Sequence, residues 1–493
     1  MRAAAGVVLS LFFAAAPGHT AAPAPAAEGK LYAAAGKVDI TPDLKNERTW
    51  LAGFGAMGRR PAGVHDPLYA RALVLSDGER TVAFAVVDAV GIFREDVAEV
   101  RRRLGWDGVK KYLFLSATHT HSGPDTSGLW GRWPAVSGVN ESYRQRTLDA
   151  LVGLVQGLAA ELKEAEMSAV RRDLDPRGLC ADSRDPVVID PELDAVQVRA
   201  KAGGAVIGTL VRWSCHPEVI GRKNLLISAD YPGALCAKIE DQTGGACIFQ
   251  TGIIGGLMTP DIADGLSVAE EYGEMKRIGE AVADAALGAL KDAPRVSRAA
   301  IAFKTKTVRL PVQNSRYLLF LPNLAFGHRI FDRDGRIVGR GARWGLALRH
   351  LFFFPLAERL RPWVETEVSH VRVGALEFLG IPGELFPELA IGGYDGRYRF
   401  GHDLTRPTNP NPPRLTAAPK GPYLRDKIKA DVGVLVGLAN DEVGYLMPDY
   451  DFQARPSRSM EPRMPGTHYE ETNSIGPAAS GLLLKAYDEL LAP

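Results

Sequence analysis

Short apolar, β-branched runs alternate with amphipathic helical stretches along nearly the whole chain, and this alternation restricts the fold more than any other feature. Arg71–Leu75 and Thr81–Val87 read as strands joined by Ser76-Asp77-Gly78, a hairpin signal because Asp and Gly suit the turn's backbone angles. Arg94–Leu104 follows as a helix and Tyr112–Ala117 as a buried strand. Leu148, Leu151, Val152, Val155 and Leu158 recur at helical spacing and mark one apolar face. Ala205–Trp213 is strand-like, and Ser267-Val268-Ala269-Glu270 is a capping box opening a helix to about Leu290. Val371–Ile381 and Val432–Ala439 read as strands and Pro477–Leu491 as a closing helix. Elements in this order predict an α/β fold, a mixed sheet layered with helices. With 493 residues the chain can bury a large core.

Two stretches break the alternation. Ser315–Pro362 mixes apolar clusters (Leu318–Leu321, Leu351–Phe354) with Arg329, Arg333, Arg336, Arg340, Arg343 and Arg349. Arg406–Pro422 holds six prolines and reads as an extended surface loop. Strands of core type follow both, so neither reads as a linker between domains.

The N-terminus carries a targeting signal in outline. Met1-Arg2 is a minimal basic region, Ala3–Ala16 is apolar but short for a membrane span, and small residues follow. A signal peptide over residues 1–26 is expected, with an exported mature chain and a catalytic domain over residues 30–493; a disordered Ala/Pro leader is the alternative. Elsewhere no run of 18 apolar residues occurs, so no span is expected in the mature chain. Lysine and arginine nearly balance aspartate and glutamate, for a formal net charge of +1, which argues against a general nucleic-acid binder. Cys180, Cys215, Cys236 and Cys247 fit no CxxC metal pattern; disulfides and buried thiols both remain open.

The sharpest local feature is Ser116-Ala117-Thr118-His119-Thr120-His121-Ser122-Gly123-Pro124. If the strand continues, its pleat turns His119 and His121 to one face just where Gly-Pro ends the run. Neutral imidazole is a common zinc ligand, although a pair of hydrogen-bonded surface histidines fits the same pattern. His216 has a similar setting, after a strand and before Pro217. Glu384, in Ile381-Pro382-Gly383-Glu384, and Tyr445, in Asn440 to Tyr445, offer oxygen donors at two further strand ends. Loops at strand ends are where sites collect in sheet proteins.

Taken together these residues resemble the neutral/alkaline (non-lysosomal) ceramidase family, catalytic domain only. The resemblance runs from about Lys37 to Leu491 through Val38–Pro42, Ala52–Gly55, Gly63–His65, Ala117–Pro124, His216-Pro217, Ile227–Asp230, Ile381–Glu384, Leu438–Asn440 and Gly444-Tyr445. It implies one zinc per chain, held by His119, His216, Glu384 and Tyr445, and hydrolysis of the amide of an N-acyl lipid. It also implies substrate contacts at Gly53, His121, Arg184 and Tyr469, with His121 as first candidate for the general acid. The family's GDVSPN segment, whose Ser is a catalytic candidate, is matched by Gly255–Asp261; Thr259 keeps the hydroxyl, but Leu257 replaces the acidic residue. The family's C-terminal immunoglobulin-like domain is not expected, since the sequence ends at the closing helix. Three functions fit: a ceramidase-like amidase, a zinc hydrolase of the same fold acting on another amide or ester, and a non-catalytic binding protein. The expected partners are a lipid or other N-acyl molecule and a peripheral membrane contact, with no nucleic acid.

Overall fold

The structure, a computed structural model, describes residues 28–133, 136–314, 317, 328–352, 361–453, 466 and 468–492. The leader expected at residues 1–26 lies outside the described residues, as do Phe320, Phe353, Phe354 and the side chains of Arg340, Leu351 and Phe352.

The expected hairpin forms, with Tyr69–Ser76 antiparallel to Thr81–Val87 and Leu75 opposite Val82. Because strand side chains alternate, Val82, Phe84 and Val86 enter one core while Ala83, Ala85 and Val87 enter another. Both faces of this strand are therefore buried, which accounts for its uninterrupted apolar sequence. The large mixed sheet runs, in spatial order, Ala246–Thr251, Val206–Trp213, Glu192–Ala200, Lys163–Asp173, Tyr32–Asp39, Tyr69–Ser76, Thr81–Val87 and Lys111–Ala117. Its interior pairs are antiparallel and its two edge pairs parallel.

One face is covered by the helices Arg94–Leu104, Glu141–Ala160, Tyr231–Thr243 and Val268–Leu290. The capping box is present: Ser267 accepts from the Glu270 amide, and the Glu270 carboxylate accepts from the Ser267 amide. The other face packs on a second sheet, ordered Ile301–Pro311, Trp363–Val373, Leu376–Gly380 and Val432–Val436. The rings of Phe84, Phe114 and Phe378 meet between the sheets, Phe84 lying 5.5 Å from Phe114 and 4.3 Å from Phe378. Truncating any of them to Ala costs about 3–5 kcal/mol. The helix Ala478–Leu490 covers the outside of the second sheet, where the Tyr487 hydroxyl donates to the carbonyl of Gly380. The layers thus run helix, sheet, sheet, helix, in agreement with the expected α/β class.

Two side chains bring the strand ends together. The Thr251 hydroxyl donates to the carbonyl of Thr118 at 2.8 Å, joining the two opposite edges of the large sheet just before His119. Asn440 joins the two sheets: its amide donates to the Leu115 carbonyl, its Oδ1 accepts from the Leu115 amide, and its Nδ2 donates to Tyr112 and Ser369. The Leu438-Ala439-Asn440 landmark is therefore a structural staple.

The single strand expected at Val371–Ile381 is instead a hairpin, turning at Gly374 (φ 59°) between Val373 and Leu376. All four cysteines are buried free thiols. In the Arg-rich stretch, residues 340–352 form a helix that exposes Trp344 and Leu348. Among the described residues no helix is long and apolar enough to cross a membrane.

Candidate metal centre and active-site cavity

His119 follows the strand Lys111–Ala117, but its nearness to His121 does not come from a pleat. The strand ends at Ala117, and His119 takes a left-handed conformation (φ 69°), uncommon for residues other than glycine. Its amide is held by the Ala89 carbonyl. Its Nδ1 donates to the Val90 carbonyl at 2.6 Å, which leaves Nε2 as the free lone pair. His216 is oriented in the same way: Nδ1 donates to the Met258 carbonyl at 2.9 Å. The His119 ring lies 5.0 Å from His121 and 5.1 Å from His216.

Glu384 completes this group from the second half of the chain. It pairs in parallel register with Tyr445 in a two-stranded ribbon. Gly383 lets the ribbon close, since a Cβ there would lie 2.6 Å from the carbonyl oxygen of Gly444. Glu384 Oε2 stands 3.0 Å from His216 Nε2 and 3.8 Å from His119 Nε2. Donors about 2.1 Å from a tetrahedral cation are roughly 3.4 Å apart, so these spacings fit edges of a zinc-sized polyhedron. Both imidazoles are held by backbone carbonyls, the outer-shell pattern that fixes a ligating histidine. The donor set therefore fits a zinc ion. The ligand nitrogens of His119, His121 and His216 also lie within 4.8 Å of one another, so the geometry admits a third imidazole.

The electrostatics follow from burial. His119 is held well below the usual histidine range by burial and then by its two histidine neighbours. Burial opposes a charged His216, but the hydrogen bond to Glu384 and the charges of Glu218 and Glu384 outweigh it and push it up to about 9. Burial and then Glu384 push the Tyr445 phenol well above its usual value.

The group opens into a cavity of about 350 Å³ whose apolar walls include Phe54, Val90, Phe93, Leu129, Trp130 and Leu257. Of the residues expected at the site, His119, His121, Glu384, Tyr445, Thr259, Gly53 and Tyr469 all line it, and His216 lies buried beneath it. Gly53 (φ 96°) lies flat on His121, where a Cβ would come within 2.4 Å of the ring. Tyr469 is half-exposed at the rim, its hydroxyl accepting from Asn473. Arg184 is not brought to the cavity. Its guanidinium is buried among Asp451, Glu470 and Glu471, at 2.6, 2.8 and 3.1 Å.

Sequence reasoning missed two acidic residues. Glu218 lines the cavity with Oε1 accepting from the Thr259 hydroxyl at 2.9 Å and Oε2 lying 3.2 Å from His121 Nδ1. Burial works against its charge, but His121, His216 and Thr259 hold its carboxyl down at about 2. Glu442 lines the same cavity, one oxygen accepting from the Gly444 amide. The only available signal was position, Glu218 following His216-Pro217 and Glu442 preceding Tyr445 by three.

Fold and site define a layered α/β protein with a buried histidine–carboxylate centre that could hold a metal ion. Residues 32–178 match the family described as neutral/alkaline non-lysosomal ceramidase, N-terminal. The neutral ceramidase of Pseudomonas aeruginosa is 26% identical over 215 residues, which cover 40% of this chain and 32% of that protein. The match thus spans about a third of the curated relative's length. The crystal structure of neutral ceramidase from Pseudomonas aeruginosa has the same fold, with a TM-score of 0.65 at 17% identity over 94% of this chain and 74% of that one. A structure described as ceramidase complexed with C2 superposes with a TM-score of 0.63 at 16% identity, over 94% and 75%. The family sequence match lies in the N-terminal third of the chain, and the fold shared with the solved ceramidase runs through nearly all of it.

Proposed function

We propose that this chain is an exported, zinc-dependent amidohydrolase that cleaves the N-acyl bond of ceramide or a related N-acyl lipid, with residues 30–493 acting as one catalytic unit. The observation that carries this is Glu384 Oε2 set 3.0 Å from His216 Nε2 and 3.8 Å from His119 Nε2 at the base of an apolar-walled cavity. His119, His216, Glu384 and Tyr445 would hold the ion. A bound zinc ion supplies Lewis-acid polarisation of a carbonyl and lowers the pKa of water toward about 7.

The chain's own residues supply the rest. Phe54, Phe93, Leu129 and Trp130 give an acyl chain an apolar wall and keep bulk water from the cleaved bond. His121 lines the same cavity and is placed to move a proton onto the departing amine. Tyr469 stands at the rim, where the polar end of an amphiphile would meet it. The exposed Trp344 and Leu348, with Arg336 and Arg349 exposed nearby in sequence, suit contact with an anionic lipid surface.

A panel of N-acylsphingosines, N-acyl amino acids and p-nitrophenyl esters, each tested with and without zinc, decides the substrate class. Zinc-dependent release of fatty acid from N-acylsphingosine supports the proposal. Zinc-dependent turnover of esters alone moves the chain to a different hydrolase of the same fold, and no turnover of any member defeats the enzymatic reading.

A further inference from the structure

We propose that Glu218 is the positioning residue of this site, one carboxylate that orders both His121 and Thr259 for proton transfer at the cleaved bond. The inference rests on the hydrolase reading above and deepens it.

His121 is fixed in place but not in tautomer. Its backbone is fixed: the amide donates to the Pro217 carbonyl at 3.1 Å, and its carbonyl accepts from the Arg59 guanidinium at 2.7 Å. One face of the ring lies against Gly53, and Phe54 meets it edge-on at 5.1 Å. These contacts are steric or apolar, so they set where the ring sits without choosing which nitrogen carries hydrogen. Glu218 makes that choice. A carboxylate 3.2 Å from Nδ1 favours hydrogen there and leaves Nε2 as the proton-accepting atom. Among the described residues His121 Nδ1 has no other hydrogen-bond partner, so the Glu218 carboxylate is the polar group that faces it.

The second oxygen of Glu218 does the same for Thr259. Because the Thr259 hydroxyl donates to Oε1, its lone pairs are left to accept from a substrate N–H or O–H. The two oxygens of one carboxylate thus fix the hydrogen-bonding direction of two cavity groups 138 residues apart in sequence (259 minus 121).

As the oxygen of water bonds to the amide carbon, its proton passes to Nε2 of His121. The Glu218 carboxylate beside Nδ1 holds the ring in place for this transfer. As the C–N bond breaks, that proton passes to the leaving nitrogen, giving a carboxylic acid and an amine. Glu218 touches neither the carbon nor the nitrogen, so it acts only through His121 and Thr259.

The test uses the full chain loaded with zinc, with N-octanoylsphingosine in detergent micelles as substrate. Glu218→Gln keeps the size and removes the charge, and should lower kcat on the order of 100-fold while KM changes about 2-fold or less. Zinc per chain should stay at the parental level. In a His121→Ala, Thr259→Val background the same substitution should add almost nothing, since both of its partners are already gone. Full, multiplicative losses on adding Glu218→Gln to that background, or zinc lost in step with activity, would overturn the proposal. Should the parent protein cleave no substrate, the hydrolase reading fails separately. Nitrogen-15 spectra of the histidine rings then decide on Glu218. A His121 Nδ1–H signal that Glu218→Gln displaces upholds its role, and a signal unmoved by the substitution overturns it.

Discussion

Replacing Arg184 with Ala separates two accounts of that residue. The family resemblance implies a substrate contact, whereas the structure buries the guanidinium at 1% exposure among three carboxylates that are themselves no more than 4% exposed. Asp451 at 2.6 Å, Glu470 at 2.8 Å and Glu471 at 3.1 Å would be left facing one another without a counter-charge. Removing one partner of a buried ion group costs about 3–5 kcal/mol, because the remaining charge stays desolvated. At about 2.1 cal/mol/K of unfolding entropy per residue, a chain of this length loses roughly 1 °C of Tm per kcal/mol, so a fall of about 3–5 °C is expected. Calorimetry measures the shift, and initial rates well below the transition measure activity.

The pH dependence gives a second handle. Burial raises the Glu471 carboxyl, but the hydrogen bond to His468 and the charge of Arg184 overcome it and hold it at about 2. Its folded value lies below the ordinary 4.5, so its contribution is present above that value and is lost as pH falls toward about 2. Arg184→Ala should flatten this loss, read as the change in urea midpoint between pH 5 and pH 3. An unchanged Tm together with a tenfold rise in KM would refute the reasoning and return Arg184 to the substrate.

Asn440→Ala removes four side-chain hydrogen-bond contacts with Leu115, Arg101, Tyr112 and Ser369 and leaves buried polar groups behind; a loss of about 2–4 kcal/mol in urea unfolding is expected. Gly53→Ala forces a Cβ against the His121 ring at a φ of 96°, and should lower kcat at least tenfold while zinc content holds. Equal stability in the first case, or full activity in the second, would count against the packing described.

Much of the fold was legible where a local signal and its burial coincide. The hairpin 69–87, the helix Arg94–Leu104 and the capping box at Ser267 each carry their own instruction in adjacent residues. Lys163–Asp173 and Glu192–Ala200 were missed because charged side chains interrupt their apolar positions, so that only pairing in the large sheet defines them as strands. Gly374 was overlooked because Val371–Val373 and Leu376–Leu379 read as one apolar run, although the chain reverses between them. At the site, His119, His216 and Glu384 come together and Tyr445 lines the same cavity, yet the His119–His121 pairing arises from a left-handed residue, which the HxH pattern does not encode. Thr259 has no base beside it in sequence; its partner Glu218 arrives from 41 residues away. Arg184 carried a motif-like setting but turned inward, because three acids on the far side of the chain, 267 to 287 residues on, reach it there.

Zinc content tests the central claim most directly. Protein purified without added metal, dialysed against buffered zinc and analysed by inductively coupled plasma mass spectrometry should hold about one zinc per chain. His119→Ala and His216→Ala should each lose most of it while keeping the parent's circular dichroism. One full equivalent of zinc retained in both variants would contradict the account.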